Sequence, residues 1–315
     1  MRISITPACN LRCFYCFGPR FPGAGEYELS SDEIIAMADL LVGMGIHSVK
    51  ITGGEPLMRK EAPALITRLS GIPGLRDLSL TTNGVLLART AEKLKEAGLK
   101  RVNISLDTLR RDRFLKITGS DELNAVLKGI RSARQYGLSP IKINTIILRG
   151  INDDEIHDFV RFASDEGLIV RFIELMPADN RIRNWRDRFM GKTEIQSGIQ
   201  NLGALTLLPD GVPVGTGPAE YFTVAGYRGI MGFISSVSAP FCPRCNRIRI
   251  DAGGNLIPCL FGENSINLRE LMMRLPREQI VSAIHDALSR KGVHHGLSHM
   301  PDGDSRLPSM CRTGG

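Results

Sequence analysis

Much is absent from these 315 residues. No apolar run approaches the roughly 20 residues needed to span a bilayer as a helix. No block of like charges marks a nucleic-acid arm or an acidic tail. No internal repeat points to a solenoid, and no low-complexity tract points to disorder. Aromatics make up only 6% of the chain, with Trp185 the one tryptophan. No secretory signal is recognisable, so the protein is expected to be cytoplasmic, away from membranes. What is present is ordinary for a globular chain, 43% hydrophobic and 23% charged, and long enough to bury a large core. The charge of +7, from 40 Lys and Arg against 33 Asp and Glu, is dispersed. It favours a small anionic ligand over nucleic acid.

Short β-rich runs alternate with helical ones through the first half. Strands are expected over Arg2 to Thr6, Ser48 to Thr52, Asp77 to Thr82, Arg101 to Ser105, Ile141 to Ile147 and Ile169 to Glu174. Helices are expected between them. One starts at a capping box, Ser30 with Glu33; others span about Glu61 to Leu69, Ala88 to Ala97, Leu123 to Tyr136 and Asp153 to Glu166, several ending on a glycine such as Gly98, Gly137 or Gly167. Parallel strands need crossover helices, so six β-α units in series predict an α/β fold, a partial (β/α)6 TIM-like barrel. The pattern breaks after Met176. Arg181 to Arg188 and Leu208 to Gly217 read as loops, and no clean linker intervenes. The expected organisation is a barrel over 1–176, an α+β cap closing its mouth over 177–300, and a tail over 301–315.

Seven cysteines in a reducing compartment suggest metal or redox sites before disulfides. Six form two tight triplets; Cys311 stands alone. Cys9, Cys13 and Cys16 lie just after the first strand in a CxxxCxxC spacing. Three thiolates on one loop can hold three irons of a [4Fe-4S] cluster and leave the fourth open for a reactant. Taken alone they also allow zinc or free thiols. The second set is Cys242, Cys245 and, after thirteen intervening residues, Cys259. It allows either an iron-sulfur cluster or zinc completed by His285, His294, His295 or His299. Between Cys245 and Cys259, Arg247 and Arg249 share one face of a β-like segment, a pair suited to polyphosphate oxygens. Chemistry in such barrels collects at the carboxyl ends of the strands. There lie Gly53-Gly54-Glu55-Pro56, Thr81-Thr82-Asn83-Gly84 and Ser105-Leu106-Asp107, with Lys142 and Asn144 in the fifth strand and Arg171, Glu174 and Met176 at the sixth. A lysine inside a barrel strand needs a partner or the mouth, because a buried lone charge is costly.

CxxxCxxC with Tyr15 before its last cysteine, followed by GGEP, resembles the radical S-adenosylmethionine (SAM) superfamily. Cys242, Cys245, Cys259, Arg247, Arg249, Arg171-Phe-Ile-Glu-Leu-Met176, Cys259-Leu-Phe-Gly and the terminal Gly314-Gly315 narrow the resemblance to the GTP 3′,8-cyclase family, which opens molybdenum cofactor biosynthesis. Lys50 stands where that family mostly has arginine.

The resemblance implies two [4Fe-4S] clusters: one on Cys9, Cys13 and Cys16 that binds SAM, one on Cys242, Cys245 and Cys259 that meets guanine. It places Tyr15, Gly54, Ser105 and Met176 against SAM. Arg2, Lys50, Thr81, Lys142, Arg247 and Arg249 are placed around GTP, and Gly314-Gly315 in the active site beside Arg247 and Arg249. It further implies a flavodoxin or ferredoxin as electron donor, cyclic pyranopterin monophosphate synthase as acceptor of the product, and a possible homodimer. Two other readings remain at this point: a different radical SAM enzyme with an auxiliary cluster, for example a peptide-modifying one, and a non-enzymatic protein with two zinc sites.

Overall fold

The computed structural model describes residues 1–16, 28–176, 184–212, 217–262, 264–292 and 313. Its first half alternates as expected: β1 (Arg2–Ser4), α1 (Ser31–Gly43), β2 (Ser48–Thr52), α2 (Ala62–Ser70), β3 (Asp77–Thr82), α3 (Ala91–Glu96), β4 (Arg101–Ser105), α4 (Arg111–Thr118), α5 (Leu123–Gln135), β5 (Lys142–Ile146), α6 (Ile156–Glu166) and β6 (Ile169–Ile173). After it come α7 (Trp185–Arg188), α8 (Lys192–Gln200), β7 (Leu205–Leu207), β8 (Glu220–Val224), β9 (Ile230–Ile234), β10 (Arg249–Ile250), β11 (Asn255–Ile257), β12 (Ile266–Asn267), α9 (Leu268–Arg274) and α10 (Arg277–Ser289).

Among the described residues one sheet of 12 strands holds the elements together, in the order β12-β11-β10-β1-β2-β3-β4-β5-β6-β9-β8-β7. The strands from β10 through β1 to β6 and on to β9 are all parallel. Hairpin partners β8-β7 and β11-β12 continue it antiparallel. The expected α/β partial barrel is therefore present. Residues beyond 176 extend the barrel's own sheet at both edges.

The barrel strands alternate with a period of two, and this sorts function from packing. Ile3, Val49, Ile51, Leu78, Leu80, Val102, Ile104, Ile143, Val170 and Phe172 are buried beneath the helices. Their sequence neighbours Arg2, Lys50, Thr81, Ser105, Asn144 and Arg171 share the opposite, inner face, which is polar. Helix α6 packs Phe159 edge-on to Phe172, centroids 6.4 Å apart, and Phe172 stacks on Phe233 of β9 at 5.9 Å. Truncating one such buried ring costs about 3–5 kcal/mol, so this contact welds the C-terminal strands to the barrel.

The capping box of α1 is formed. The Ser30 hydroxyl accepts from the Glu33 amide at 3.1 Å, and the Glu33 carboxylate accepts from the Ser30 amide at 2.8 Å. The expected helix over Ala88 to Ala97 is split, a 3-10 turn at Leu87–Arg89 preceding α3. Helix α4 was not anticipated. The last residues of the Arg181 to Arg188 stretch form α7, whose Trp185 is buried. No helix among the described residues is long and apolar enough to cross a membrane.

Candidate active site

At the carboxyl ends of the barrel strands lies a cavity of about 270 Å³ whose wall includes all six cysteines of the two triplets. Cys9, Cys13 and Cys16 reach it from the loop after β1. Cys242 and Cys245 reach it from a 3-10 turn before β10, and Cys259 from the exit of β11. None of the six is joined in a disulfide.

The first cysteine loop is held from two sides. Toward α4, the amides of Arg12 and Phe14 donate to the carbonyls of Thr118 and Ile117 at 2.8 and 3.1 Å. Toward β2, Gly54 donates to Thr6 at 2.7 Å and Glu55 to Ala8 at 2.7 Å. That approach requires glycine. A Cβ on Gly54 would lie 2.4 Å from the carbonyl oxygens of both Pro7 and Ala8, and one on Gly53 would lie 2.5 Å from that of Thr6.

Glu55, wholly buried, binds the next motif. Its carboxylate accepts from the Thr82 hydroxyl and the Asn83 amide, each at 2.7 Å, and from the Leu57 amide at 3.0 Å. Burial, against those hydrogen bonds, pushes it up to about 7. Asn83 in turn donates to Asn10 at 2.8 Å and approaches the Cys9 sulfur at 3.9 Å. GGEP, TTNG and the cysteine loop are thus one hydrogen-bonded unit.

Tyr15 lines the wall and donates its hydroxyl to Asp107, which also accepts from the Ile146 amide at 2.8 Å. Burial raises the Asp107 carboxyl to about 6 and the Tyr15 phenol well above its usual value. The Cys13 thiol is raised too, by burial first and then by Asp107 and the neighbouring cysteines.

Charge defines the rest of the wall. Arg2, Lys50, Arg171, Arg247, Arg249 and Lys291 face it, against the lone carboxylate of Asp107 among the described lining residues. Arg249, Arg2 and Lys50 stand side by side, in register across β10, β1 and β2. Enclosure and mutual repulsion pull Arg2 and Lys50 well below their ordinary values, and burial with Arg247 nearby brings Arg249 to about 9. Cations buried and crowded this closely favour a polyanion among them. Arg247 is set flat over Phe241, its guanidinium carbon 4.6 Å from the ring centroid. Arg171 donates to Asn103 at 2.7 Å, while its Nε and the Asn144 Oδ1 are buried without a protein partner. Both residues line the cavity, leaving a donor and an acceptor for a ligand.

Of the residues singled out in the sequence, Tyr15, Gly54, Ser105, Met176, Arg2, Lys50, Thr81, Arg247 and Arg249 all lie on this one wall. Lys142 does not. As the first residue of β5 it sits behind the wall, its Nζ 3.4 Å from the Tyr221 hydroxyl and 5.3 Å over that ring, and burial with Arg171 and Arg101 lowers it to about 7. Glu174, expected at the mouth, is turned into a structural anchor. It accepts from the amides of Lys192, Val237 and Ser238 at 2.9, 2.8 and 2.9 Å and from the Ser238 hydroxyl.

Gly314, Gly315, Cys311, His294, His295 and His299 lie outside the described residues. Thr313 is described and is fully buried. His285 is exposed on α10 and does not line the cavity. Among the described residues no three His, Cys, Asp or Glu side chains converge closely enough to hold a single metal ion. A cubane spreads its thiolates over separate irons, and two cysteine triplets facing one chamber fit that larger group.

Lys291 was missed. Its ammonium donates to the Arg247 carbonyl at 2.7 Å and to Cys245, carbonyl at 2.9 Å and sulfur at 3.5 Å. The Cys245 thiol is lowered: burial opposes this, but the Arg247 amide, its charge and the Lys291 charge outweigh it. A lysine just past a helix end is commonplace, so nothing in the sequence distinguishes it.

A parallel barrel with a three-cysteine loop at the exit of its first strand, and a diglycine backbone packed on that loop, defines a radical SAM enzyme. The radical SAM superfamily model matches residues 3–163, and the molybdenum cofactor synthesis C model matches residues 168–297. The chain is 43% identical to a GTP 3′,8-cyclase of Moorella thermoacetica over 100% of its own length and 97% of the relative's. It is 41% identical to the protein of that name from Alkaliphilus metalliredigens, over 94% and 91%, and 40% identical to that of Listeria monocytogenes, over 95% and 89%. In fold it is similar to Streptococcus suis SuiB, with a TM-score of 0.60 at 13% identity over 95% of this chain and 67% of that one. The chain belongs to the GTP 3′,8-cyclase family of radical SAM enzymes.

Proposed function

We propose that the cavity binds GTP between two iron-sulfur clusters and converts it to (8S)-3′,8-cyclo-7,8-dihydroguanosine 5′-triphosphate, the opening step of molybdenum cofactor biosynthesis. The observation that carries this reading is the convergence of both cysteine triplets and an excess of cations on one wall. Cys9, Cys13 and Cys16 would hold the SAM-binding [4Fe-4S] cluster, and Cys242, Cys245 and Cys259 a second [4Fe-4S] cluster that meets the guanine. The cluster and SAM, when bound, would supply a primary-carbon radical for hydrogen abstraction from the ribose.

The chain's own task is placement, because such a radical abstracts from any hydrogen it can reach. Gly54 keeps the backbone flush against the cysteine loop, and Tyr15, Ser105 and Met176 provide the SAM-side wall. Arg2, Lys50, Thr81, Arg247 and Arg249 grip the nucleotide, with the cations toward its phosphates. Lys142 supports them from behind through Tyr221 and the inner charge layer. Arg171 and Asn144 offer the hydrogen bonds that the protein leaves open. A tail ending in Gly314 and Gly315 is narrow enough to enter a charged chamber beside Arg247 and Arg249, and the burial of Thr313 supports that course. Electrons come from a flavodoxin or ferredoxin, the product passes to cyclic pyranopterin monophosphate synthase, and the enzyme works in the cytoplasm, with a homodimer as its candidate assembly. Six surrounding cations disfavour a neutral peptide substrate.

The test is anaerobic incubation of the reconstituted chain with GTP, SAM and reductant, followed by mass analysis of the nucleotide. Arg247→Ala is expected to lose cyclisation while still cleaving SAM. If both activities fall together, Arg247 is not a substrate residue. If GTP emerges unchanged from the wild type, the proposal fails.

A further inference from the structure

Lys291 directs its charge into the polypeptide. An ammonium has three N–H donors. Lys291 presents them to three acceptors of a single short segment: the Arg247 carbonyl at 2.7 Å, the Cys245 carbonyl at 2.9 Å and the Cys245 sulfur at 3.5 Å. Its own amide donates to Leu288 at 3.1 Å, so it is fastened to the end of α10. Arg247 meets Cys245 as well, through its amide and its side chain; what Lys291 adds is a tie from the end of α10 to both the Cys245 and the Arg247 carbonyls.

The segment it grips is the one where errors matter most. Cys245 and Arg247 are two residues apart, one a cysteine of the second triplet and the other the cation seated on Phe241. A clamp on both their carbonyls fixes the sulfur and the guanidinium relative to each other. A positive charge donating to a cluster-bound sulfur also favours the more negative, reduced state and raises the reduction potential.

We propose that Lys291 is a positioning residue for the second cysteine triplet. Through backbone contacts it locks the Cys245 to Arg247 segment onto α10, and through its contact with the Cys245 sulfur it sets the potential of the group held there. This rests on the reading of Cys242, Cys245 and Cys259 as ligands of a second [4Fe-4S] cluster. The residue acts through others and touches no reacting atom in the proposal.

The test uses the full chain, reconstituted anaerobically as wild type, Lys291→Met, Lys291→Gln and Lys291→Arg, with circular dichroism confirming the fold of each. Iron and sulfide are counted, and both clusters are titrated by electron paramagnetic resonance. In Lys291→Met the second cluster is expected to lose occupancy and shift to lower potential with an altered signal, while the first is unchanged. Lys291→Gln, which keeps donors without charge, should recover occupancy but not potential. Lys291→Arg should recover both in large part. A second cluster of unchanged potential and signal in Lys291→Met would overturn the assignment, as would an equal shift of both clusters. A wild-type chain that takes up only about four irons, one cubane, would overturn the two-cluster reading itself; one with about eight irons and an indifferent Lys291→Met would sink the Lys291 proposal alone.

Discussion

Arg2 on β1 and Arg249 on β10 are register partners on adjacent parallel strands, each facing the cavity. Two guanidiniums side by side, one of them buried, repel each other in a site where water cannot fully screen them. The chain holds this arrangement for what binds there, a trade of stability for function. Arg249 is repelled by Arg2 and Arg247 and attracted by Cys245 and Cys259, so replacing it by Met should move the ligand-free melting temperature little. The affinity for GTP should fall at least tenfold, about 1.4 kcal/mol. Calorimetry with and without the nucleotide reads both. A large loss of unliganded stability at intact affinity would make Arg249 structural.

Gly54 should not tolerate even alanine. Its added methyl would overlap the carbonyl oxygens of Pro7 and Ala8 at 2.4 Å, and backbone cannot rotate away as a side chain can. The loop of Cys9, Cys13 and Cys16 must shift instead. Gly54→Ala is expected to cost about 3 kcal/mol, within the range of overpacked sites, and to abolish iron uptake by the first triplet while the second still loads. Iron counts on Gly54→Ala decide it, and a full complement would refute the close-approach argument.

Glu55 makes the fold pH-sensitive in a defined window. Its pKa rises from 4.5 unfolded to about 7 folded, chiefly through burial. The folded state therefore holds a proton that the unfolded state has released. The stability linked to that proton is fully present below pH 4.5 and is lost as pH rises through about 7. The shift corresponds to about 3 kcal/mol. Glu55→Gln cannot titrate, so the difference in unfolding free energy between wild type and variant should move by that order between pH 4.5 and 7.5, against the wild type. A difference flat with pH across this window would remove Glu55 as its source.

Much of this was legible beforehand, and the residues show why. Strands β2, β3 and β4 begin and end at the expected positions because Val49, Ile51, Leu78, Leu80, Val102 and Ile104 alternate cleanly with polar neighbours. The cysteines and GGEP were readable because their spacing is local. Helix α4 was not, since within Arg111–Thr118 only Phe114, Ile117 and Thr118 are buried. The two-residue strand β10 was legible only as the β-like segment carrying Arg247 and Arg249; its bounds and its place in the sheet come from its ladder with β1 and β11. Lys291 meets its partners across 44 and 46 residues, and Lys142 falls one layer below the cavity for reasons of barrel stagger that periodicity does not carry.

Glu174 offers the sharpest separation of the two halves of the site. It follows β6 directly, yet its buried carboxylate collects the amides of Lys192, Val237 and Ser238 and the Ser238 hydroxyl. Val237 and Ser238 lead from β9 toward Cys242, so this one side chain sets where the second cysteine turn begins. Removing it leaves several donors buried without an acceptor, a loss of about 3 kcal/mol once the neighbourhood relaxes. Glu174→Gln, with one carbonyl oxygen left, should lose less. The same ordering should appear in iron content, with Glu174→Ala depleting the second triplet more than the first, because the loop of Cys9 to Cys16 is anchored independently by Thr118, Ile117 and the GGEP backbone. Chemical denaturation gives the energies, and iron analysis with cluster spectroscopy shows which cysteine triplet is depleted. Equal depletion of both would mean that Glu174 supports the barrel as a whole and has no particular hold on the path to Cys242.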